Sequence, residues 1–217
     1  MVVLLLTAFA LALCLPTSAA EIRSADGNSR LRAAEIVNLG DKMILKGSAH
    51  VRLADKLTGT VFEADAATIT IIQFPPAKKG EPAKAAADKK ADAVGGLNLS
   101  DIKSVEFVGP VKMTYIKPKE VIDASGRKAT VMTQMDANSD AANYDGTKQM
   151  AYLTGNVTMT LMDPTMYESP AIASGDLIEV NMKPKPGPDD LIFRISTPGG
   201  VSHLEATPLP KEETKAK

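Results

Sequence analysis

Strict alternation of apolar and polar residues, repeated through most of the chain, is the feature that most limits what this sequence can fold into. Ala49, Val51 and Leu53 are separated by His50 and Arg52; Val111, Met113 and Tyr115 by Lys112 and Thr114; Val157, Met159 and Leu161 by Thr158 and Thr160. Ile178, Val180 and Met182 alternate with Glu179 and Asn181, and Ile69 and Ile71 flank Thr70. Successive side chains of a strand point to opposite faces, so such runs bury one face and wet the other. A helix would need apolar residues three and four apart. Antiparallel sheets accept this one-sided burial. Turn signals punctuate the runs at Gly40-Asp41, Ser125-Gly126, Asp145-Gly146, Asp163-Pro164, Pro186-Gly187-Pro188 and Pro198-Gly199-Gly200. The pattern predicts an all-β chain of about 10 to 14 antiparallel strands.

The strands also repeat. A glycine precedes an alternating run at Gly47 (GSAHVRL), Gly109 (GPVKMTY), Gly155 (GNVTMTL) and Gly200 (GVSHLEA). The period is about 45 residues once one insert is set aside, in the range of stacked structural repeats. An apolar stretch precedes the first three glycines: 43–46, 105–108 and 151–154. Between glycines a second strand type opens on small residues, at Glu63-Ala64-Asp65-Ala66, Asp123-Ala124-Ser125-Gly126 and Ala173-Ser174-Gly175-Asp176. Glycine inside a long strand marks a bend or a bulge, so the predicted unit is strand, glycine kink, strand, turn, strand.

The insert, 75–96, is PPAKKGEPAKAAADKKADAVGG. It holds too little apolar surface to offset the entropy of ordering it, and the expectation is a disordered loop over 75–100. The tail 208–217 reads the same way. At the other end, residues 2–15 are almost wholly apolar and Ser18-Ala19-Ala20 follows, the pattern of a signal peptide cut after Ala20. The run is too short to span a bilayer. No Lys or Arg precedes it, which leaves an uncleaved inner-membrane anchor as the alternative. The expected organisation is a signal peptide (1–20), one β domain (21–207) and a tail. With Cys14 in the leader, the mature chain has no cysteine, which suits an oxidising compartment.

Composition narrows the function. Lys and Arg number 25 against 26 Asp and Glu, so the chain lacks the basic excess of a nucleic-acid binder, and without Trp and with few aromatics it offers no stacking platform. There is no Gly-x-Ser-x-Gly elbow, P-loop or HExxH motif. Asp163, Asp176, Asp189 and Asp190 are the carboxylates from which a hydrolase pair would be drawn, but three of them sit in turn signals, where Asp serves local backbone bonding. His50 and His203 lie at outward positions with no further ligands in sight. The expectation is a non-enzymatic protein with no catalytic residues, no metal and no cofactor.

The phrases GDKMILKGSAHVRL with FEADAATITI, and YDGTKQMAYLTGNVTMTL with ASGDLIEVNM, resemble the OstA-like family, the periplasmic lipopolysaccharide-transport proteins of the LptA and LptC kind. The resemblance covers most of 33–183. It implies a β-jellyroll, or β-taco: two antiparallel sheets folded into a V-shaped groove whose apolar interior holds the acyl chains of a lipid. It further implies a periplasmic, non-enzymatic carrier of lipopolysaccharide or a related lipid towards the outer membrane. Its partners would be other OstA-like envelope proteins, met through edge strands, and copies of itself, met head to tail. Stretches 31–37 and 191–196 are the candidate edges.

If such a groove exists, the alternating residues Val51, Leu53, Ile69, Ile71, Val111, Met113, Val157, Met159, Leu161, Ile178 and Val180 line it. The chain carries ten Met, and flexible thioethers adapt to varied lipid tails. The same residues equally suit the filled core of a structural β-repeat protein of the envelope. On the residues alone both readings stand, and the family resemblance favours the groove.

Overall fold

The structure is a computed structural model that describes residues 19–56, 58–75, 101–122, 125–183 and 191–210. Apart from Ala19 and Ala20, the expected signal peptide lies outside the described residues. So do the expected insert beyond residue 75 and the tail beyond residue 210. Eleven strands make up the described chain: β1 (Ala20–Arg23), β2 (Ser29–Ala33), β3 (Glu35–Asn38), β4 (Lys42–Asp55), β5 (Thr60–Gln73), β6 (Ile102–Ile122), β7 (Lys128–Asp145), β8 (Met150–Met162), β9 (Ala171–Asn181), β10 (Phe193–Ser196) and β11 (His203–Glu205). They form one antiparallel sheet in the order β1-β2-β4-β5-β6-β7-β8-β9-β10, with β3 on β4 and β11 on β9. The alternation read from the sequence is therefore strand alternation throughout.

The glycines crease this sheet. β4, β6 and β8 run through Gly47, Gly109 and Gly155, and at each one the register slips, between Lys46 and Ala49, Val108 and Val111, and Thr154 and Val157. Gly109 has φ +94, and a Cβ there would lie 2.6 Å from Ala67 Cβ on the neighbouring strand. No other residue type meets both demands without strain. At the two ends of the sheet the strand breaks instead of bending. β2 and β3 lie either side of Ala34 and both pair with β4; β10 and β11 both pair with β9. The crease thus divides the sheet into two leaves. Leaf A contains β1, β2, β11 and the segments 49–55, 60–66, 111–122, 128–139, 157–162 and 171–175. Leaf B contains β3, β10 and the segments 42–46, 68–73, 102–108, 141–145, 150–154 and 177–181.

The leaves fold onto one another. Phe107 pairs with Ile69, seven residues along β5 from Phe62. At roughly 3.3 Å per residue the two phenylalanines would stand about 23 Å apart on a flat sheet. Their ring centroids are 6.1 Å apart. This is the V-shaped, antiparallel β-jellyroll that the OstA-like resemblance implies, with the one difference that its two walls are leaves of a single creased sheet and not two separate sheets. Between the leaves lies one continuous apolar core, with Leu31, Leu45, Ile69, Ile71, Ile102, Phe107 and Leu153 wholly buried. Burying each such side chain contributes about 1.5–3 kcal/mol, so the fold is driven by closing the leaves.

Two details of the repeat differ from expectation. Gly200 is not a fourth crease; it lies in the Thr197–Gly200 turn that separates β10 from β11. Ser125-Gly126 does not lie inside a strand beside the crease, as 63–66 and 173–176 do, but in the turn between β6 and β7 that the pair also signals. The crease residues of β7 are Ser139 and Asp140, whose partners are the Gly109 and Gly155 bulges. Small residues suit turns and creases alike, so composition did not distinguish the two.

Candidate functional site

The face between the leaves is the candidate site. Of the expected lining residues, Val51, Leu53, Val111, Met113, Val157, Met159 and Leu161 project from leaf A, and Ile69, Ile71, Ile178 and Val180 from leaf B. Ten are buried and Leu161 is half-buried. All eleven belong to or pack against the same core cluster.

The pairing register gives this face its shape. Leu31, Val51, Ala64, Met113, Ala137, Met159 and Ala173 form one row straight across leaf A. Large side chains on β4, β6 and β8 alternate with alanine on β5, β7 and β9, and no polar residue interrupts the row. The facing row of leaf B is bulkier: Ile36, Leu45, Ile69, Phe107, Ala142, Leu153, Ile178 and Ile195. The alanine columns leave leaf A shallow, and the larger side chains of leaf B fill the space. Val51, Ile69, Ile71, Val111, Val157 and Ile178 are at most 1% exposed, so no water-sized void adjoins them. At these positions the interior is filled by its own side chains, while Phe62, Tyr115, Leu161 and Met182, nearer the open margin, are half-buried.

Polar groups mark the open margin of the V. Tyr115 of leaf A and Tyr144 of leaf B are partly buried and near enough to influence each other. Burial, with Tyr144 adding to it, pushes the Tyr115 phenol up to about 12, and burial followed by Asp145 raises Tyr144. Lys117, beyond Tyr115 on β6, donates to the Lys183 carbonyl at the end of β9 at 3.4 Å, a bond from leaf A to the rim of leaf B. Burial and then Lys119 hold the Lys117 ammonium below its ordinary value. Sequence reasoning missed these margin residues. Tyr115 continues the alternation, but nothing in the pattern says which residues of a strand reach the rim.

The carboxylates read from the sequence have local duties. Asp163 is 7% exposed; it accepts from the Thr165 N–H at 2.9 Å and the Thr165 hydroxyl at 2.6 Å, and Lys119 Nζ lies at 3.2 Å. Burial opposes its charge, but the Thr165 and Lys119 contacts together prevail and hold it below the usual aspartate range. Asp176 lies at the crease, its N–H donating to the Thr197 hydroxyl at 3.2 Å. Asp189 and Asp190 lie outside the described residues. His50 contacts Asp65 at 2.9 Å on the outer face, and His203 is exposed on β11. Among the described residues no three of His, Cys, Asp and Glu are grouped to hold a metal ion.

The sheet ends in short strands on both sides. Of the stretch 31–37, only the part in β3 stands at an edge, because β1 covers β2. At the other end β10 and β11 are both edges, and Ile172, Ile192, Val201 and Leu204 are exposed there. No family model and no curated protein matches the chain. Among solved structures, the chain is similar to the crystal structure of LptH, the LptA homologous periplasmic component of the conserved lipopolysaccharide transport device from Pseudomonas aeruginosa. The two share 14% identity over 84% of this chain and 95% of that one, with a TM-score of 0.45.

Proposed function

We propose that the protein is a non-enzymatic lipid carrier of the cell envelope, exported to the periplasm by residues 1–20. In this reading it takes the acyl chains of lipopolysaccharide or a related lipid between the two leaves and passes them towards the outer membrane. One observation carries the reading: a creased sheet presents an apolar row across seven strands, from Leu31 to Ala173, with no polar side chain in it. An acyl chain asks for a long surface of this kind and for no specific hydrogen bond. The OstA-like motifs at 40–71 and 144–182 support the same assignment, and the exposed edges β3, β10 and β11 are the places where other carriers of the same type, or further copies, would add strands.

Because the core of the interior is filled by side chains, loading requires the leaves to part at the margin formed by Tyr115, Tyr144, Lys117 and Lys183. Met113, Met135 and Met159 then repack against the lipid tail. The test is native mass spectrometry of the protein purified from an envelope extract, with organic extraction of bound material and titration with added lipopolysaccharide. A bound glycolipid or phospholipid that is lost in a folded Met159→Arg or Val157→Asp variant supports the carrier. A protein that stays free of lipid and takes up no added lipopolysaccharide, or a folded variant that binds as the wild type does, rejects it in favour of a structural β-repeat protein with a filled core.

A further inference from the structure

The outer face of the sheet at its N-terminal end carries an arrangement that folding alone does not favour. Glu21, Arg32, His50 and Asp65 lie side by side across β1, β2, β4 and β5, and the next outward row is Arg23, Arg30, Arg52 and Glu63. Four arginines thus face three carboxylates. Arg30 stands directly opposite both Arg23 and Arg52, whereas like charges in opposed positions destabilise a sheet.

The acids satisfy most of this charge from the flanks. Glu63 pairs with Arg52 at 2.6 Å, Asp65 with His50 at 2.9 Å, and Glu21 with both Arg23 and Arg30. Arg30 Nε is nevertheless buried without a hydrogen-bond partner, although Glu21 Oε1 is 3.2 Å away. Arg32 is exposed, and among the described residues its side chain has no ionic or hydrogen-bond partner. These side chains border a cleft of about 620 Å³, lined on one side by Ala19 of the expected leader and otherwise by residues of the mature chain that include Arg30, Arg32, Gly47, Ser48, His50 and Asp65. The crease shapes its floor: Gly47 and Ser48 are consecutive residues with positive φ, +75 and +49, which turns the bulge of β4 at this point.

We infer that this cleft is a binding site for a phosphate-class oxyanion, held by the Arg32 and Arg30 guanidinium groups with the His50 ring and Ser48 hydroxyl at its border. Guanidinium forks match such oxygens two at a time, and a second anion relieves the opposed Arg23 and Arg30, which share Glu21. The cleft is far larger than one phosphate ion, so an esterified phosphate on a lipid headgroup fits as well as the free ion. The site lies on the opposite face of the sheet from the apolar interior and does not rest on the carrier reading.

The chain has two histidines, so the ring signals of His50 can be assigned in NMR spectra against a His203→Gln variant. The protein is titrated with inorganic phosphate at constant ionic strength, and separately sedimented with phosphatidylcholine vesicles containing about 25 mol% phosphatidylglycerol. Expected is a saturable movement of the His50 signals with phosphate, weakened about tenfold in Arg32→Gln and less in Arg32→Lys, which keeps the charge but loses the fork. Vesicle binding that Arg32→Gln also removes identifies the headgroup as the source; phosphate binding without vesicle binding identifies the free ion. No response to either probe, or a response that Arg32→Gln retains in full, overturns the site.

Discussion

Replacing Gly109 by alanine tests whether the crease is what folds the sheet. Two costs add at this position. The first is conformational: at φ +94 a residue with a Cβ is strained by about 1–2 kcal/mol. The second is steric: the new Cβ would stand 2.6 Å from Ala67 Cβ, with the Ala67 backbone N at 3.4 Å, and a strand in the middle of a sheet cannot retreat as a flexible side chain would. Moving β5 and β6 apart by the missing ångström costs on the order of 1–2 kcal/mol in packing. Gly109→Ala should therefore lose about 2–4 kcal/mol. Gly126 has a similar φ, +79, but a Cβ added there would meet nothing within 4 Å, so Gly126→Ala should lose only the conformational part, about 1 kcal/mol. Urea unfolding of both variants, with the slope checked for constancy, supplies the comparison. A cycle with Ala67→Gly makes it specific: Ala67→Gly alone should cost about 0.5–1 kcal/mol, but in the Gly109→Ala background it should recover about 1–2 kcal/mol. Equal losses at the two glycines, or strict additivity with Ala67→Gly, would refute the crease argument.

Three further outcomes follow from the same geometry. Phe107→Ala should cost about 3–5 kcal/mol in urea unfolding, because Phe107 is wholly buried and its contact with Phe62 joins the leaves. Asp163 is held below its ordinary value in the folded chain, so its stabilisation is present above about pH 4 and is lost as pH falls through the folded-state value. The urea midpoint of Asp163→Asn should consequently change less between pH 5 and pH 2.5 than that of the wild type. Tyr115 has the opposite sense: its folded value near 12 exceeds the free value, so its contribution is complete below about pH 10 and fades between pH 10 and 12. Absorbance at 295 nm should show a late-titrating tyrosine that disappears in Tyr115→Phe.

The strand content was legible because period-two alternation has one physical meaning, and the glycines at 47, 109 and 155 announced bends because glycine is costly inside a strand unless the backbone needs it. The inward set was legible for the same reason: once Val51 or Met113 is known to face in, every second residue follows. Three things were not. The pairing of large with small residues across leaf A depends on register, and register emerges only when β4 to β9 are laid side by side. Phe62 and Phe107 lie far apart in sequence and on different leaves, so their contact depends on the fold angle at the crease. The edge at 31–37 was half wrong because β1, a strand of four residues, covers β2 and leaves only β3 open. A stretch so short carries too little pattern to announce itself.

The filled interior bears on how a carrier of this design would work. An acyl chain leaving a membrane for water loses about 0.8 kcal/mol for each methylene exposed. Between the leaves it would instead replace leaf-to-leaf contacts of the same chemical kind, since the rows through Met113 and Phe107 are hydrocarbon and thioether throughout. Apolar area is then exchanged, not created or removed, and the hydrophobic terms nearly cancel. At the margin, loading must also break the Lys117 bond to the Lys183 carbonyl, worth on the order of 1 kcal/mol, and deeper in it must repack Phe62 against Phe107. A deep permanent cavity would bind its lipid tightly and release it slowly. A filled interior that opens at small cost binds weakly in both directions, which lets the direction of transfer be set by whatever stands at either end of the sheet. In the proposed function, therefore, the burial of Val51, Val111 and Val157 to 1% exposure is the resting state that makes hand-over reversible.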